Sequence, residues 1–312
     1  MPKVSLIITV FNEEHSIEEL LKSISEQTRL PNETIIVDGG SSDDTLSLLK
    51  KAKKKFPTIG LKHYLHPSNR SAGRNFAIQK AQHDWIAVTD AGCVLEPTWL
   101  QELLKKHLQT KAVVVAGYYR AESKSAFEEA VAPYVLVMPD AVDPEHFLPA
   151  TRSVLFHKQT VLDVGGFDES LAVSEDYALA QKLFHSGAQM VFTKEAVVIW
   201  RPRSSLADFF IMVVSMSRGD VVAGVLRKKA VLVLTRYALG VFWLVIIAHY
   251  SALLASCAAL LVVAAYVIWA VLKNKKYAPR GFYYLPVLQM TADLGVMVGL
   301  VQGFLKRLQK SR

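Results

Sequence analysis

The sequence predicts an α/β domain built on a mostly parallel sheet, followed by a membrane region. Three observations carry that prediction. Short apolar runs alternate with amphipathic stretches through the first two hundred residues, which is the pattern of strands separated by covering helices. Two of those apolar runs end in an aspartate, Asp38 and Asp90. From about Leu206 the chain becomes much more apolar and contains runs of bilayer-spanning length.

The elements follow in order. "VSLIITV" (4–10) is a buried strand, and "FNEE" a polar turn. Ile17, Leu20, Leu21 and Ile24 then repeat at i, i+3, i+4, i+7, a helix face. "TIIVDGGSSDDT" is a second strand (34–38) ending at Asp38, with Asp43 or Asp44 as N-cap of a helix from 45 to about 55. "NRSAGRNFAIQKA" (69–81) is a loop entering a helix, and "WIAVTD" (85–90) a further strand. "PTWLQELLKKHL" (97–108) opens with proline in a first-turn position, and "AVVVAGYY" (112–119) is a strand again. In a sheet of this kind ligands collect beyond the carboxyl ends of the strands, where Asp38 and Asp90 fall. No G-x-G-x-x-G follows a strand, which removes the usual dinucleotide fingerprint.

The 312 residues carry a net charge of +8 and only two cysteines, Cys93 and Cys257. Two cysteines, one inside an apolar span, imply no disulfide framework. The amino terminus runs straight into a strand without a cleavage region, so the leading domain is expected to stay on the cytosolic side. "AVLVLTRYALGVFWLVIIAHY" (230–250) and "SALLASCAALLVVAAYVIWAVL" (251–272) each reach spanning length. Residues 283–305 form a third, weaker segment interrupted by Pro286, Gln289, Asp293 and Gln302, and lying flat in the membrane is weighed slightly ahead of crossing. The basic clusters "RKK" (227–229) and "KNKKYAPR" (273–280) flank the first two spans on one side, which orients them as a hairpin with both ends in the cytoplasm. A crossing third segment would carry the basic tail "KRLQKSR" outside, against that rule. Asp293 and Arg236 are ionisable groups at membrane depth, available to pair or to line an acceptor path. The stretch 204–229 is apolar but interrupted by Asp208, Arg218 and Asp220, and is expected as helices in the interface. Seven basic residues against two acidic ones between Arg201 and Arg236 favour an anionic lipid surface over nucleic acid.

Four landmarks occur in order: "VSLIITVFNEE", "IIVDGGSSDDT", "WIAVTDAGC" and "GGFDESLAVSEDYALAQKL". Together they resemble the family 2 inverting glycosyltransferases, over roughly residues 3 to 203. The resemblance implies a GT-A type nucleotide-sugar-binding domain at 1–203, ahead of the interfacial helices (204–229) and the transmembrane region (230–312). It also implies transfer of a hexosyl group from a nucleotide diphosphate sugar, with inversion, to an acceptor hydroxyl. By the same likeness Asp176 of the Glu-Asp pair is the general base, with Glu175 assisting. Asp38 matches the nucleoside-binding aspartate, with Gly39 where a second aspartate often stands. Asp90 matches the first aspartate of Asp-x-Asp, with Gly92 in the second place. A divalent cation, Mg²⁺ or Mn²⁺, is therefore expected on Asp90 alone, completed by diphosphate and water. Arg70 and Arg74 can face the donor, and Arg201 and Arg203 can bind a donor or lipid phosphate.

Plain structural readings stand beside these. A serine followed by acidic residues also starts an ordinary helix, and an aspartate at a strand end also makes an Asx turn. Cys93 is expected as a small buried thiol rather than a metal ligand. The expected enzyme is membrane-anchored and non-processive, acting at the cytoplasmic face of the inner membrane on a lipid-linked or membrane glycan acceptor. Processive synthases differ by a Gln-x-x-Arg-Trp motif and spans on both sides of the catalytic domain. A membrane-bound nucleotidyltransferase and an inactive sugar-nucleotide-binding scaffold remain the alternatives.

Overall fold

The computed structural model describes residues 2–144 and 147–310, so the last two residues of the basic tail, 311–312, lie outside it. The chain divides into two compact units, one of residues 1–121 and 139–201, the other of 122–138 and 202–312. The first unit is therefore not the continuous stretch 1–203: residues 122–138 leave it.

The first unit holds eight strands: β1 (Val4–Val10), β2 (Glu33–Asp38), β3 (Leu61–Leu65), β4 (Trp85–Val88), β5 (Cys93–Leu95), β6 (Val114–Ala121), β7 (Val154–His157) and β8 (Met190–Trp200). They form one sheet in the order β3-β2-β1-β4-β7-β6-β8-β5. β1, β2, β3 and β4 run parallel, as do β6 and β8. β7 enters antiparallel between β4 and β6, and β5 lies antiparallel at the edge beside β8. Residues alternate faces along a strand, and the core divides accordingly. Leu6, Ile8 and Ile36 pack with α1 (Ile17–Ser25) and α2 (Thr45–Lys55), whereas Ile7, Ile35 and Val37 pack with α3 (Arg70–Lys80). α4 (Trp99–Thr110) joins the first face through Trp99, Leu100, Leu103 and Leu104.

The second unit begins with α5 (Ala126–Val135), a short helix whose Ala130 and Val131 bury against Phe209, Ala278, Leu285 and Leu288. The first unit resumes with α6 (Lys158–Asp163) and α7 (Glu175–His185), and α7 supplies Leu179 and Leu183 to the second face. The helical unit then continues with α8 (Leu206–Val222), α9 (Lys228–Tyr250), α10 (Ala252–Asn274) and α11 (Leu285–Lys310). α9, α10 and α11 are each long and apolar enough to cross a membrane. The third apolar segment is thus one uninterrupted helix, with Pro286 in its first turn, where a missing N–H costs nothing. The interfacial stretch contains a single helix, α8, rather than several. α8 packs along α11, where Gly295, Gly299 and Gly303 bring the two backbones together: a Cβ on Gly299 would stand 2.6 Å from the Val214 carbonyl oxygen and 2.6 Å from the Ser217 Cβ.

The polar breaks in the apolar helices find each other. Asp293 is fully buried and accepts from Arg236, from the hydroxyls of Tyr266 (2.6 Å) and Tyr237 (3.2 Å), and from the Gln289 amide (3.0 Å). Arg236 also lies over the rings of Tyr237, Tyr266 and Trp269. A buried charge pair among apolar helices is satisfied by partners of this kind.

The glycine contact is testable. Gly299→Leu is expected to destabilise the helical unit by about 1–3 kcal/mol, because the α8–α11 backbones must separate. Gly240→Ala, on α9 with open space around it, is expected to be neutral or stabilising by up to about 1 kcal/mol. Thermal melting of the detergent-solubilised variants distinguishes the two.

Candidate active site

The parallel strands bring their carboxyl ends together. Val10 sits beside Asp38 in the register of β1 and β2, and Asp90 lies two residues beyond β4. At Asp38, one carboxylate oxygen accepts from the backbone N–H of Gly40 (2.8 Å) and Ser41 (2.7 Å), so an Asx turn is indeed made. Gly40 takes φ +100°, a conformation other residues resist. The other oxygen is buried and has no hydrogen-bond partner among the described residues, which leaves it for a donor that the turn itself does not provide. A Cβ on Gly39 would lie 3.0 Å from the Ser68 carbonyl oxygen. The missing second aspartate therefore has a packing reason.

α3 is anchored to the loop ahead of α7. Asn69 caps α3 by accepting from the Ala72 N–H (3.0 Å) and donates to the Glu169 carbonyl (2.6 Å). Ser71 donates to the Leu171 carbonyl (2.6 Å), and Asn75 donates to that of Phe167 (2.9 Å). Gly166, at φ +67°, would carry a Cβ only 2.8 Å from the Asn75 side chain. The "NRSAGRN" and "VGGFDES" stretches are thus two halves of one joint.

That joint delivers Arg74 to the centre of the site. Its guanidinium, 1% exposed, donates to Glu175 Oε1 (2.6 Å) and to Asp90 Oδ1 (2.8 Å). Arg70, one turn earlier on the same helix face, stands 3.6 Å from Glu175 and is half-exposed. Burial alone would raise the Asp90 pKa, but Arg74, Arg70 and Arg152 hold it below the usual carboxylate range. Asp176 goes the other way: burial, then the neighbouring Glu175, push its pKa up. Its carboxylate borders an apolar recess lined by Pro149, Ala150, Phe167, Leu179 and Ala180, and one oxygen accepts from the Tyr177 N–H (2.8 Å). Ser174 precedes α7 in a left-handed conformation (φ 62°) and makes no side-chain cap bond, so it does not start the helix in the ordinary way.

The remaining expected residues are placed elsewhere. Arg201 donates through both terminal nitrogens to Glu19 on α1 (2.7 and 2.8 Å), a bidentate pair inside the sheet unit. Arg203 is exposed and belongs to the helical unit. Cys93 is buried, and burial pushes its thiol up to about 12, which makes it a poor thiolate ligand. Two residues the sequence did not single out border Asp90: Thr151, whose hydroxyl is 3.4 Å from Oδ1, and Arg152, whose Nε is 3.9 Å from Oδ2. They lie in "PATRSV", which has no spacing that marks it; only the antiparallel insertion of β7 beside β4 brings them here.

Among the described residues no three His, Cys, Asp or Glu side chains gather as a metal site. A cation that keeps its waters and binds phosphate oxygens needs only one or two carboxylates. Asp90 fits that lesser role, since it is held ionised and Oδ2 accepts no hydrogen bond among the described residues. A Cβ on Gly92 meets nothing within 4 Å, so no crowding accounts for the missing second carboxylate.

The buried arginine between two carboxylates thus stands at the carboxyl ends of a GT-A-like sheet. The chain belongs to glycosyl transferase family 2, whose model matches residues 5–160. Among curated proteins it is similar to the glycosyltransferase AglE of Haloferax volcanii (22% identical; 63% of this chain, 66% of that protein). It is also similar to the poly-beta-1,6-N-acetyl-D-glucosamine synthase of Staphylococcus aureus (25% identical; 61% of this chain, 47% of that protein). The chain spans less than two thirds of the length of each. Among solved structures, the mannosyltransferase PcManGT of Pyrobaculum calidifontis, in complex with GDP-Man and Mn²⁺, matches with a TM-score of 0.70 and 19% identity over 97% of this chain and 87% of that one. S. aureus TarS in complex with UDP-GlcNAc gives 0.51 and 16% identity over 69% and 65%. At these identities the structures show a shared fold.

Arg74→Met is expected to cost the sheet unit about 3–5 kcal/mol, because it strands two carboxylates. The loss should shrink as pH falls, since protonating Asp90 removes part of the uncompensated charge that Arg74 leaves behind. Denaturant melts of wild type and variant at neutral pH and near pH 4 check both statements.

Proposed function

We propose that the protein is an inverting, non-processive hexosyltransferase. It moves a sugar from a nucleotide diphosphate sugar to a hydroxyl of a membrane or lipid-linked acceptor, at the cytoplasmic face of the inner membrane. The observation that carries this reading is the Arg74 bridge, which puts Asp90 of one motif and the Glu175–Asp176 pair of another in one site.

The chemistry follows from the two carboxylate environments. Asp176, with its raised pKa, takes the proton of the acceptor hydroxyl. The oxygen attacks the anomeric carbon from the face opposite the leaving group, the bond to the diphosphate breaks, and the configuration inverts. Glu175, fixed by Arg74, holds the start of α7 and hence Asp176 in place. The unpartnered oxygen of Asp38 accepts from the nucleoside. A divalent cation, when bound, would be held by Asp90 and would supply Lewis-acid stabilisation to the leaving diphosphate. The relatives that bind GDP-Man and UDP-GlcNAc support a sugar-nucleotide donor. The three helices of spanning length and the basic residues at their ends support a membrane setting for the acceptor and contact with membrane lipids.

Incubating the full-length protein with a panel of nucleotide sugars and membrane lipids tests the reading. Release of nucleoside diphosphate supports it; release of pyrophosphate identifies a nucleotidyltransferase, and binding without turnover a scaffold. Asp176→Asn is expected to lower transfer about 10²- to 10⁴-fold while leaving donor binding near wild type. The acid limb of the wild-type rate profile should lie above the ordinary aspartate range, because the base works only when ionised and its pKa is raised. In the same protein held in nanodiscs, a long-chain lipid acceptor is expected to outperform its short-chain, water-soluble form. Equal rates on the two forms would remove the membrane from acceptor presentation.

A further inference from the structure

Gly92 leaves open space where a second carboxylate would stand, and the Arg152 guanidinium lies beside Asp90. We propose that Arg152 is a binding residue for the donor diphosphate, taking up leaving-group charge beside Asp90. The proposal rests on the sugar-nucleotide reading of this site.

Position comes first. The Arg152 carbonyl accepts from the Thr89 hydroxyl (2.9 Å), one residue before Asp90. β7 pairs antiparallel with β4, with Val88 opposite Val154, so residue 152 is carried past the end of β4 to the level of Asp90. The guanidinium then lies over two rings, 5.3 Å from the ring centre of Tyr119 on β6 and 5.0 Å from that of Trp200 on β8. Rings at these distances attract a cation and hold its plane without using its N–H donors.

The donors are what remain. The Nε to Asp90 Oδ2 separation of 3.9 Å is too long for a hydrogen bond, and the guanidinium donates to no other group among the described residues. Arg74 differs: its two terminal nitrogens are committed to Glu175 and Asp90, and it is buried. Arg152 keeps 27% of its side chain exposed. It is a held, partly desolvated cation with its planar donor fork open, a shape that matches two phosphate oxygens. Charge developing on a leaving diphosphate is best stabilised by a cation already in place, because no reorganisation is then needed in the transition state.

The experiment measures binding to full-length protein in detergent by calorimetry, without added metal and with Mn²⁺. The probes are inorganic pyrophosphate, uridine and guanosine diphosphates, and the two nucleosides. The variants are Arg152→Gln, which keeps a side chain against the rings and removes the charge, and Arg152→Lys, which keeps the charge and removes the fork. Arg152→Gln is expected to weaken pyrophosphate and nucleoside diphosphate roughly 10- to 100-fold, with nucleoside affinity and melting temperature unchanged, and Arg152→Lys to recover part of the loss. Pyrophosphate affinity within twofold of wild type in Arg152→Gln overturns the proposal. An equal loss for the nucleosides also overturns it, since Arg152 would then only brace Tyr119 and Trp200. If wild type binds pyrophosphate through Arg152 but neither nucleoside diphosphate, the anion site stands and the sugar-nucleotide reading fails.

Discussion

Everything at the carboxyl end of this sheet depends on the Arg74 guanidinium being buried between Asp90 and Glu175. Each carboxylate comes from a different part of the chain, one following β4 and the other opening α7. A buried charge without a partner is costly, so neither carboxylate can settle in place until α3 has docked. The polar contacts of Asn69, Ser71 and Asn75 to the loop at 167–171 fix that docking, and they leave little freedom in the angle at which Arg74 enters.

This bridge also explains why two adjacent carboxylates diverge. Glu175 faces the arginines, while Asp176 borders the apolar recess and has the Glu175 carboxylate as its neighbour. One helix start thus contains an anchor and a group with raised proton affinity, the division of labour that general-base chemistry requires.

Much of the sheet was legible because its central strands are long, apolar and punctuated. β1, β2 and β4 end at polar turns, and α1 to α4 show helical periodicity or cap signals. What escaped was short or hidden by context. β5 has three residues and β7 four, too few for a period to show, and β7 runs into α6 without a turn. β3 is flanked by weak signals, and α5 contains Pro133. At the site, Asp38, Arg70, Arg74, Asp90, Glu175 and Asp176 lie within recognisable stretches. Arg152 and Thr151 do not, because their place is created by strand pairing across the sheet. Arg201 is read from sequence as a basic residue near a membrane region, and only the fold reveals Glu19 beside it.

The excursion of residues 122–138 changes how the protein can be made. Ala130 and Val131 are synthesised well before Phe209, Ala278, Leu285 and Leu288, the side chains that bury them. While the ribosome is still completing β7 and β8, these four side chains have not been made, and the burial of α5 must wait for α11 to emerge. The two units are joined by three passages of the backbone, at 121/122, 138/139 and 201/202. A ribosome that stopped at the sheet's last strand would therefore release a domain with a foreign helix looped out of it. Assembly of the helical unit is what closes the sheet unit's own chain.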